Sequence, residues 1–361
     1  MSLTRILENL KALVACDTQN PPRLIDGGSA IFQLCEDLVG SGFQIRMWDH
    51  GEGHVSWYAV RGNPRILFNV HLDTVPDGEG WSHNPLELVV KDGRAYGRGS
   101  CDIKGAAAVL LNLAEQGAQD LALLFTTDEE GAGGCCVENF IAAGEAERYQ
   151  QVIVAEPTSC QAVLGHRGFL SVKTRFHGIP GHSSEARALR ENANHQLARW
   201  ASRALQLAEH KKRSGDDPGT CINIGIVDGG TKSNVIAGSA FVHWSARLRP
   251  GESNEEFLRE IQSCDLAGSS TDWEVPFSGD PLPASGRSDD MAREFCSQNG
   301  FYPGDPVNFW TEAALFSQAG LPAIVLGPGH ISQAHVTDEW VELEQLSIAS
   351  ELYSKAVKHN G

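Results

Sequence analysis

"LALLFTTDEEGAGG", residues 121–134, runs from five apolar residues through two threonines into three carboxylates in a row, Asp128, Glu129 and Glu130. A continuous apolar run of this length is a strand buried on both faces, the kind found in parallel sheets with helices on either side. Like charges this close repel one another, and the end of a buried strand is a poor place to leave them. Either the turn is solvated acidic surface or something positive, a cation, sits against it.

Working outward, the pattern repeats. "ILFNV" (66–70) runs into His71-Leu72-Asp73, "QVIVA" (151–155) into Glu156-Pro157-Thr158, and "AIVL" (323–326) into Gly327-Pro328-Gly329 and on to His335. Between the first two strands lies "DIKGAAAVLLNLAEQ" (102–116), an alanine- and leucine-rich helix. Upstream, "LTRILENLKALVAC" sets Leu3, Ile6, Leu7, Leu10, Leu13 and Val14 at helical spacing before "TQNPP" stops it. Strand, helix, strand with hydrophobic strands predicts an α/β fold, a mostly parallel sheet covered by helices. In such sheets the ligand crevice lies beyond the carboxyl ends of the strands. Histidines and carboxylates converge on that rim from four separate places.

Imidazole plus carboxylate without cysteine suits zinc or a similar divalent ion at a hydrolytic centre. In "HLD" the alternation of a strand points Leu72 away, so Asp73 can hold the ring of His71 and fix its tautomer. In isolation H-x-D is a weak signal. Asp102 in "GRGSCDIKG" (97–105) would by itself be an ordinary helix N-cap; with the other three strand ends it becomes a candidate ligand. Cys101 has no base near it in sequence and reads as a small filler beside this loop rather than a nucleophile.

Composition bounds the rest. A chain of 361 residues exceeds the usual size of one domain, so two are expected. The formal net charge of −17 argues against nucleic acid or an anionic membrane surface and concentrates cations near the protein. No apolar run approaches the roughly 18 residues of a membrane span, and the first residues carry no cleavable signal pattern. Nine cysteines without regular spacing or C-x-x-C fit reduced thiols in a cytoplasmic protein.

The motifs "HLDTVP", "GRGSCDIKG", "TTDEE", "AEPT", "HRG", "GHSS" and "GPGHISQAH" occur in this order along nearly the whole chain. They resemble those of the acetylornithine deacetylase and succinyl-diaminopimelate desuccinylase family, co-catalytic zinc aminoacyl hydrolases related to aminoacylase and several dipeptidases. The stretch "FWTEAALFSQAGLPAIVLGPGHISQAHVTDEW" (309–340) most resembles the acetylornithine deacetylase branch, including its acetylcitrulline-hydrolysing members. The resemblance implies two Zn2+ per chain, with Co2+ as a possible substitute. Asp102 would bridge the pair, His71 and Glu156 would complete one site, and Glu130 and His335 the other. Glu129 would be the general base and Asp73 the orienting partner of His71, leaving Asp128 as a structural or solvated neighbour. A cis peptide after the bridging aspartate, between Asp102 and Ile103, is also implied.

The middle of the chain, from "FLSVKTRFHGIPGHSS" through "CINIGIVDGG", "AFVHWSARLRP" and "NEEFLREIQS", reads as strand, helix, strand, strand, helix. The resemblance makes it an inserted α+β lid and dimerisation domain, residues 169–276, within a catalytic domain of residues 1–168 and 277–361. His182 matches the histidine that donates to the oxyanion, often across a homodimer; alone, a loop histidine reads as surface. Asn234 and Arg247 match positions near the substrate, although Ser245 stands where the family commonly has aspartate. The Gly327-Pro328-Gly329 turn offers N–H groups for a substrate carboxylate. The implied activity is hydrolysis of the amide of an N-acyl amino acid, N2-acetyl-L-ornithine in arginine biosynthesis, with N-acetyl-L-citrulline as the alternative. A dipeptidase or desuccinylase of the same fold and a non-catalytic zinc or amino-acid binding homologue are the competing readings. An intact Glu129 speaks against the last of these.

Overall fold

The computed structural model of the protein describes residues 2–22, 24–131, 135–211, 219–265 and 270–360. Its strands are, in chain order, β1 (Gln44–Asp49), β2 (Val55–Arg61), β3 (Ile66–His71), β4 (Val89–Lys91), β5 (Arg94–Tyr96), β6 (Leu121–Thr126), β7 (Gln151–Val154), β8 (Phe169–His177), β9 (Cys221–Gly229), β10 (Ser239–Arg247), β11 (Ser270–Gly279), β12 (Ala323–Val325) and β13 (Trp340–Glu342). The chain divides into two compact units, the first made of 1–164, 288–306 and 311–361 and the second of 165–287 and 307–310.

The first unit is built on a sheet of order β1-β2-β6-β3-β7-β12. Its β6-β3-β7-β12 half is parallel, while β1 and β2 add an antiparallel edge. The strands expected to be buried on both faces, β3, β6 and β7, are buried at every residue, and so is β12. Edge strand β1 is exposed or half-buried throughout, as its alternating polar sequence requires. Parallel pairing makes these four parallel strands end together, with His71 opposite Thr126, Asn69 opposite Val154, and Val154 opposite Val325.

The helix Lys104–Glu115 is buried from Lys104 to Ala114. Its Ala106-Ala107-Ala108 run removes side-chain bulk, so the helix sits close against β3 and the helices Leu3–Ala15, Ala30–Val39 and Leu343–Asn360 pack around it. In the first of these, Ile6, Leu10, Leu13 and Val14 are buried, and Leu3 and Leu7 pack against the same core. The helix expected from residue 102 starts at 104. Its N-cap is Ile103, with no side-chain cap, so Asp102 is not a helix cap. The Asp102–Ile103 peptide is cis, as the resemblance implied.

The second unit is an antiparallel sheet of order β11-β8-β10-β9. Along β8 and β10 alternate residues are buried, Leu170, Val172, Thr174 and Phe176 on one strand, Ala240, Val242, Trp244 and Ala246 on the other. They pack on the helices Ala193–His210 and Asn254–Gln262 through Leu197, Trp200, Phe257 and Ile261. The expected return to the first domain at residue 277 falls inside β11, which pairs with β8 as far as Gly279; the unit itself continues to Arg287. Edge strand β9 leaves Ile226 and Val227 exposed.

Candidate metal centre

The rim at the carboxyl ends of β3, β6 and β7 gathers the first-unit histidines and carboxylates singled out in the sequence, with the exception of Asp128. His71, the last residue of β3, is buried, and its Nε2 lies 3.0 Å from Asp102 Oδ1 and 3.5 Å from Glu156 Oε1. His335 Nε2 lies 3.2 Å from Asp102 Oδ2 and 2.8 Å from Glu130 Oε1. Each oxygen of Asp102 therefore faces a different histidine. Ligand atoms of His71, Asp102 and Glu130 all lie within 4.8 Å of one another.

Asp73 serves two neighbours. His71 Nδ1–H donates to its backbone carbonyl at 2.9 Å, with the carboxylate Oδ1 3.5 Å away. Its Oδ2 accepts the N–H of Glu130 at 3.0 Å. The ring of His71 is thus oriented mainly by the main chain of Asp73, while the carboxylate fixes the acidic turn. With Nδ1–H held by the main chain, Nε2 is the nitrogen turned toward the centre, where a bound cation would take the place of its proton.

The electrostatics describe a crowded acidic site. Burial disfavours charge on His71, but Glu156, Asp102 and Asp73 outweigh it and hold the imidazole well above its ordinary pKa. Burial would raise Asp102, but hydrogen bonds from His335 and His71 pull it far down. Glu129 is held well above the carboxylate range by burial, against the pull of His71 and with the push of Glu130, Glu156 and Asp102. Glu156 is raised by burial as well, and its buried Oε1 accepts no hydrogen bond among the described residues. Two histidines cannot neutralise this many carboxylates. Imidazole nitrogen and carboxylate oxygen are hard-to-borderline donors, and with an orphaned buried oxygen among them the set fits divalent cations.

Asp128, the third acid of the opening stretch, is neither solvated nor part of this cluster. It is buried, its Oδ2 lies 2.9 Å from His54 Nδ1, and it accepts the N–H of Cys136 at 3.0 Å at the start of the helix Cys135–Ala142. Cys101 is buried, and burial pushes its thiol well above the ordinary range; it fills space, as expected.

The glycine turn corrects an expectation. The N–H of Gly327 donates to Thr158 Oγ1 at 3.1 Å and that of Gly329 to Gln345 Oε1. Neither amide is left for a substrate carboxylate. The turn instead braces the segment after β7: Thr158 and Cys160 donate back to the Gly327 carbonyl. A Cβ on Gly327 would lie 2.5 Å from the Ala155 carbonyl oxygen and 2.7 Å from that of Glu156. Gly327→Ala should therefore cost about 1–3 kcal/mol of stability and weaken cation binding by displacing Glu156. Thermal unfolding and metal titration of the variant check both.

The remaining candidates lie in the second unit. His182 is exposed, with Nδ1 2.8 Å from Ser184 Oγ and its N–H on Glu185 Oε1. Its loop pairs with the one carrying Asn234: His182 bridges Val235, and the N–H of Ser183 donates to the Asn234 carbonyl at 3.1 Å. Arg247 ends β10 with its guanidinium 3.9 Å from the Phe169 ring centroid, a stacking contact that does not need the missing aspartate. His182 and Asn234 share one loop cluster, which Arg247 does not join through any of these contacts.

Two buried carboxylates carried no individual signal in the sequence. Glu312 accepts from Thr126 Oγ1 at 3.1 Å behind the acidic turn, and burial pushes its carboxyl up to about 8. Glu339 receives four hydrogen bonds described below. Only their position inside resemblance-bearing stretches, "WTEAALF" and "HVTDEW", set them apart from surface acids.

A parallel sheet with a histidine and carboxylate cluster beyond its strand ends defines a hydrolase with a divalent-metal site. Residues 67–359 match the profile of peptidase family M20/M25/M40. The chain belongs to that family, and it is a hydrolase of amide bonds. It is 43% identical to an N-acetyl-L-citrulline deacetylase of Xanthomonas campestris pv. campestris over 95% of both chains. It is 28% identical to an acetylornithine deacetylase of Vibrio vulnificus over 99% of both. Among solved structures, an aminopeptidase of Bacillus cereus shares the fold with a TM-score of 0.77 at 18% identity, covering 99% of this chain and 98% of that one. An M20 family metallo-carboxypeptidase of Sulfolobus solfataricus does so at 0.71 and 18%, covering 99% of both.

Proposed function

We propose that the protein is a two-zinc deacetylase of N-acetyl amino acids, with N-acetyl-L-citrulline as the favoured substrate and N2-acetyl-L-ornithine as the second. The observation that carries the reaction class is Asp102, whose two carboxylate oxygens face His71 and His335 separately. That arrangement supports a shared ligand between two ions, one completed by His71 and Glu156 and the other by Glu130 and His335. The substrate order rests on the 43% identity to the acetylcitrulline enzyme against 28% to the acetylornithine enzyme.

Cations bound there would acidify a water toward a pKa of roughly 7 and polarise the substrate carbonyl. The chain's own residues do the rest. Glu129 takes the proton from the attacking water and delivers it to the amine nitrogen as the amide breaks. Asp73 keeps His71 in one tautomer. His182 donates to the carbonyl oxygen as negative charge develops on it, and Asn234 and Arg247 engage the amino-acid portion. The second unit is assigned the roles of lid and dimer contact; its open edge β9, with Ile226 and Val227 exposed, supports the second of these.

Side-by-side kcat/KM values for N-acetyl-L-citrulline and N2-acetyl-L-ornithine test the substrate. A preference for the neutral citrulline side chain is expected; a preference for the cationic one reverses the order, and turnover of neither removes the reading. His182→Ala should cost on the order of a hundredfold in kcat with cation content unchanged, and normal turnover would make His182 a surface residue.

A further inference from the structure

We propose that Arg98 and Glu339 form a positioning pair that holds the loop of Asp102 against the segment carrying His335, and so sets how tightly the centre binds its cations. The proposal rests on Asp102 and His335 being ligands.

Glu339 is buried, and every donor it receives comes from the strip 97–102. Its Oε1 accepts the N–H of Cys101 at 2.9 Å and of Asp102 itself at 3.0 Å. Its Oε2 accepts the N–H of Gly99 at 3.0 Å and Arg98 Nη1 at 2.8 Å. Its backbone carbonyl takes the N–H of Gly97 at 2.9 Å and the hydroxyl of Ser100 at 3.3 Å. A buried carboxylate is costly unless every lone pair is met, and here both oxygens are met twice. Arg98, equally buried, extends the link. Its Nη2 donates to the carbonyls of Pro76 and Asp77 at 3.2 and 3.0 Å, its Nη1 also reaches the Val336 carbonyl at 3.5 Å, and its plane lies over Trp81.

One ion pair therefore ties three segments: the one that follows Asp73, the one that ends in Asp102, and the one that begins at His335. Neither side chain points a ligand atom at a metal. Their effect passes through the main chain of Asp102, whose N–H is fixed by the residue four places beyond His335. When a ligand is held by an outer partner of this kind, losing the partner costs typically 10–100-fold in metal affinity.

Glu339→Gln isolates the effect. The amide keeps the shape, but whichever way it turns its NH2 group faces two N–H donors. Zinc titration of the metal-stripped, folded protein, followed by absorption of a Co2+-loaded sample, compares wild type, Glu339→Gln and Asp102→Ala. The expected result is a roughly 10–100-fold weaker affinity for Glu339→Gln, with a changed Co2+ spectrum and a larger loss for Asp102→Ala. Should the glutamine variant not fold, Glu339→Asp retains the charge for Arg98 but is one methylene short of the Cys101 and Asp102 amides, and the same loss is expected. Wild-type affinity and spectrum in a folded Glu339 variant, with only its melting temperature lowered, would overturn the proposal. Wild-type affinity in Asp102→Ala would instead overturn the ligand assignment beneath it.

Discussion

Glu129→Ala is expected to give a folded protein that retains its cations and hydrolyses N-acetyl amino acids at least 10²–10⁴-fold more slowly, an order of magnitude set by loss of a general base. Glu129 and Glu130 are adjacent in sequence but differently held. Glu130 Oε1 lies 2.8 Å from His335 Nε2 and its N–H is held by Asp73, so Glu130 is committed to the histidine side of the cluster. Glu129, next to it, is kept well above the carboxylate range by burial and its acidic neighbours; binding cations there would add positive charge and bring it down toward a base able to cycle near neutrality. Glu130→Ala should lose cation as well as rate. Metal stoichiometry and kcat on the two variants separate the roles: zinc lost from Glu129→Ala and kept in Glu130→Ala would exchange them.

Asp102→Ala should be more damaging still. It removes the one carboxylate that both histidines face, so cation content should fall below that of either Glu130→Ala or Glu156→Ala. The several kcal/mol of charge stabilisation that the ions supply goes with them, which corresponds to a rate loss of at least about 10³-fold. Asp102→Asn, which keeps the size and removes the charge, should behave in the same direction, because the His71 and His335 nitrogens would face an amide. A variant at Asp102 that binds two cations and turns over would place the shared ligand elsewhere.

The part of the centre made by His71, Asp73, Glu129, Glu130 and Glu156 was legible in the sequence because each of these follows a buried strand closely, whereas Asp102 and His335 lie in loops and came with the motifs. "ILFNV", "LALLF" and "QVIVA" are apolar on both faces, so the first polar residues after them lie at the sheet's carboxyl edge without further information. The N–H groups of Gly327 and Gly329 misled, since their partners Thr158 and Gln345 lie 169 and 16 residues away. Glu339 and Arg98 were silent for the same reason: their contacts with each other and with the Asp102 loop span about the length of the first unit, and charged residues in polar stretches look like surface. The boundary expected at residue 277 follows Pro276, which interrupts β11, "STDWEVPFSG": Trp273, Val275 and Phe277 alternate with polar residues, but the pairing shifts register between Glu274 and Phe277 and the strand runs on to Gly279. Asp128 could not be separated from its neighbours by spacing alone; the His54 ring and the Cys136 amide that hold it become visible only in three dimensions.

The two-zinc centre is tested most directly by hydrolysis of N-acetyl-L-citrulline by the metal-stripped protein before and after zinc is returned. The stripped protein should show no measurable deacetylation, and activity should recover to saturation at two zinc ions per chain. Full deacetylation without metal, or a zinc-loaded protein that releases no acetate from this or any N-acetyl amino acid, would contradict it.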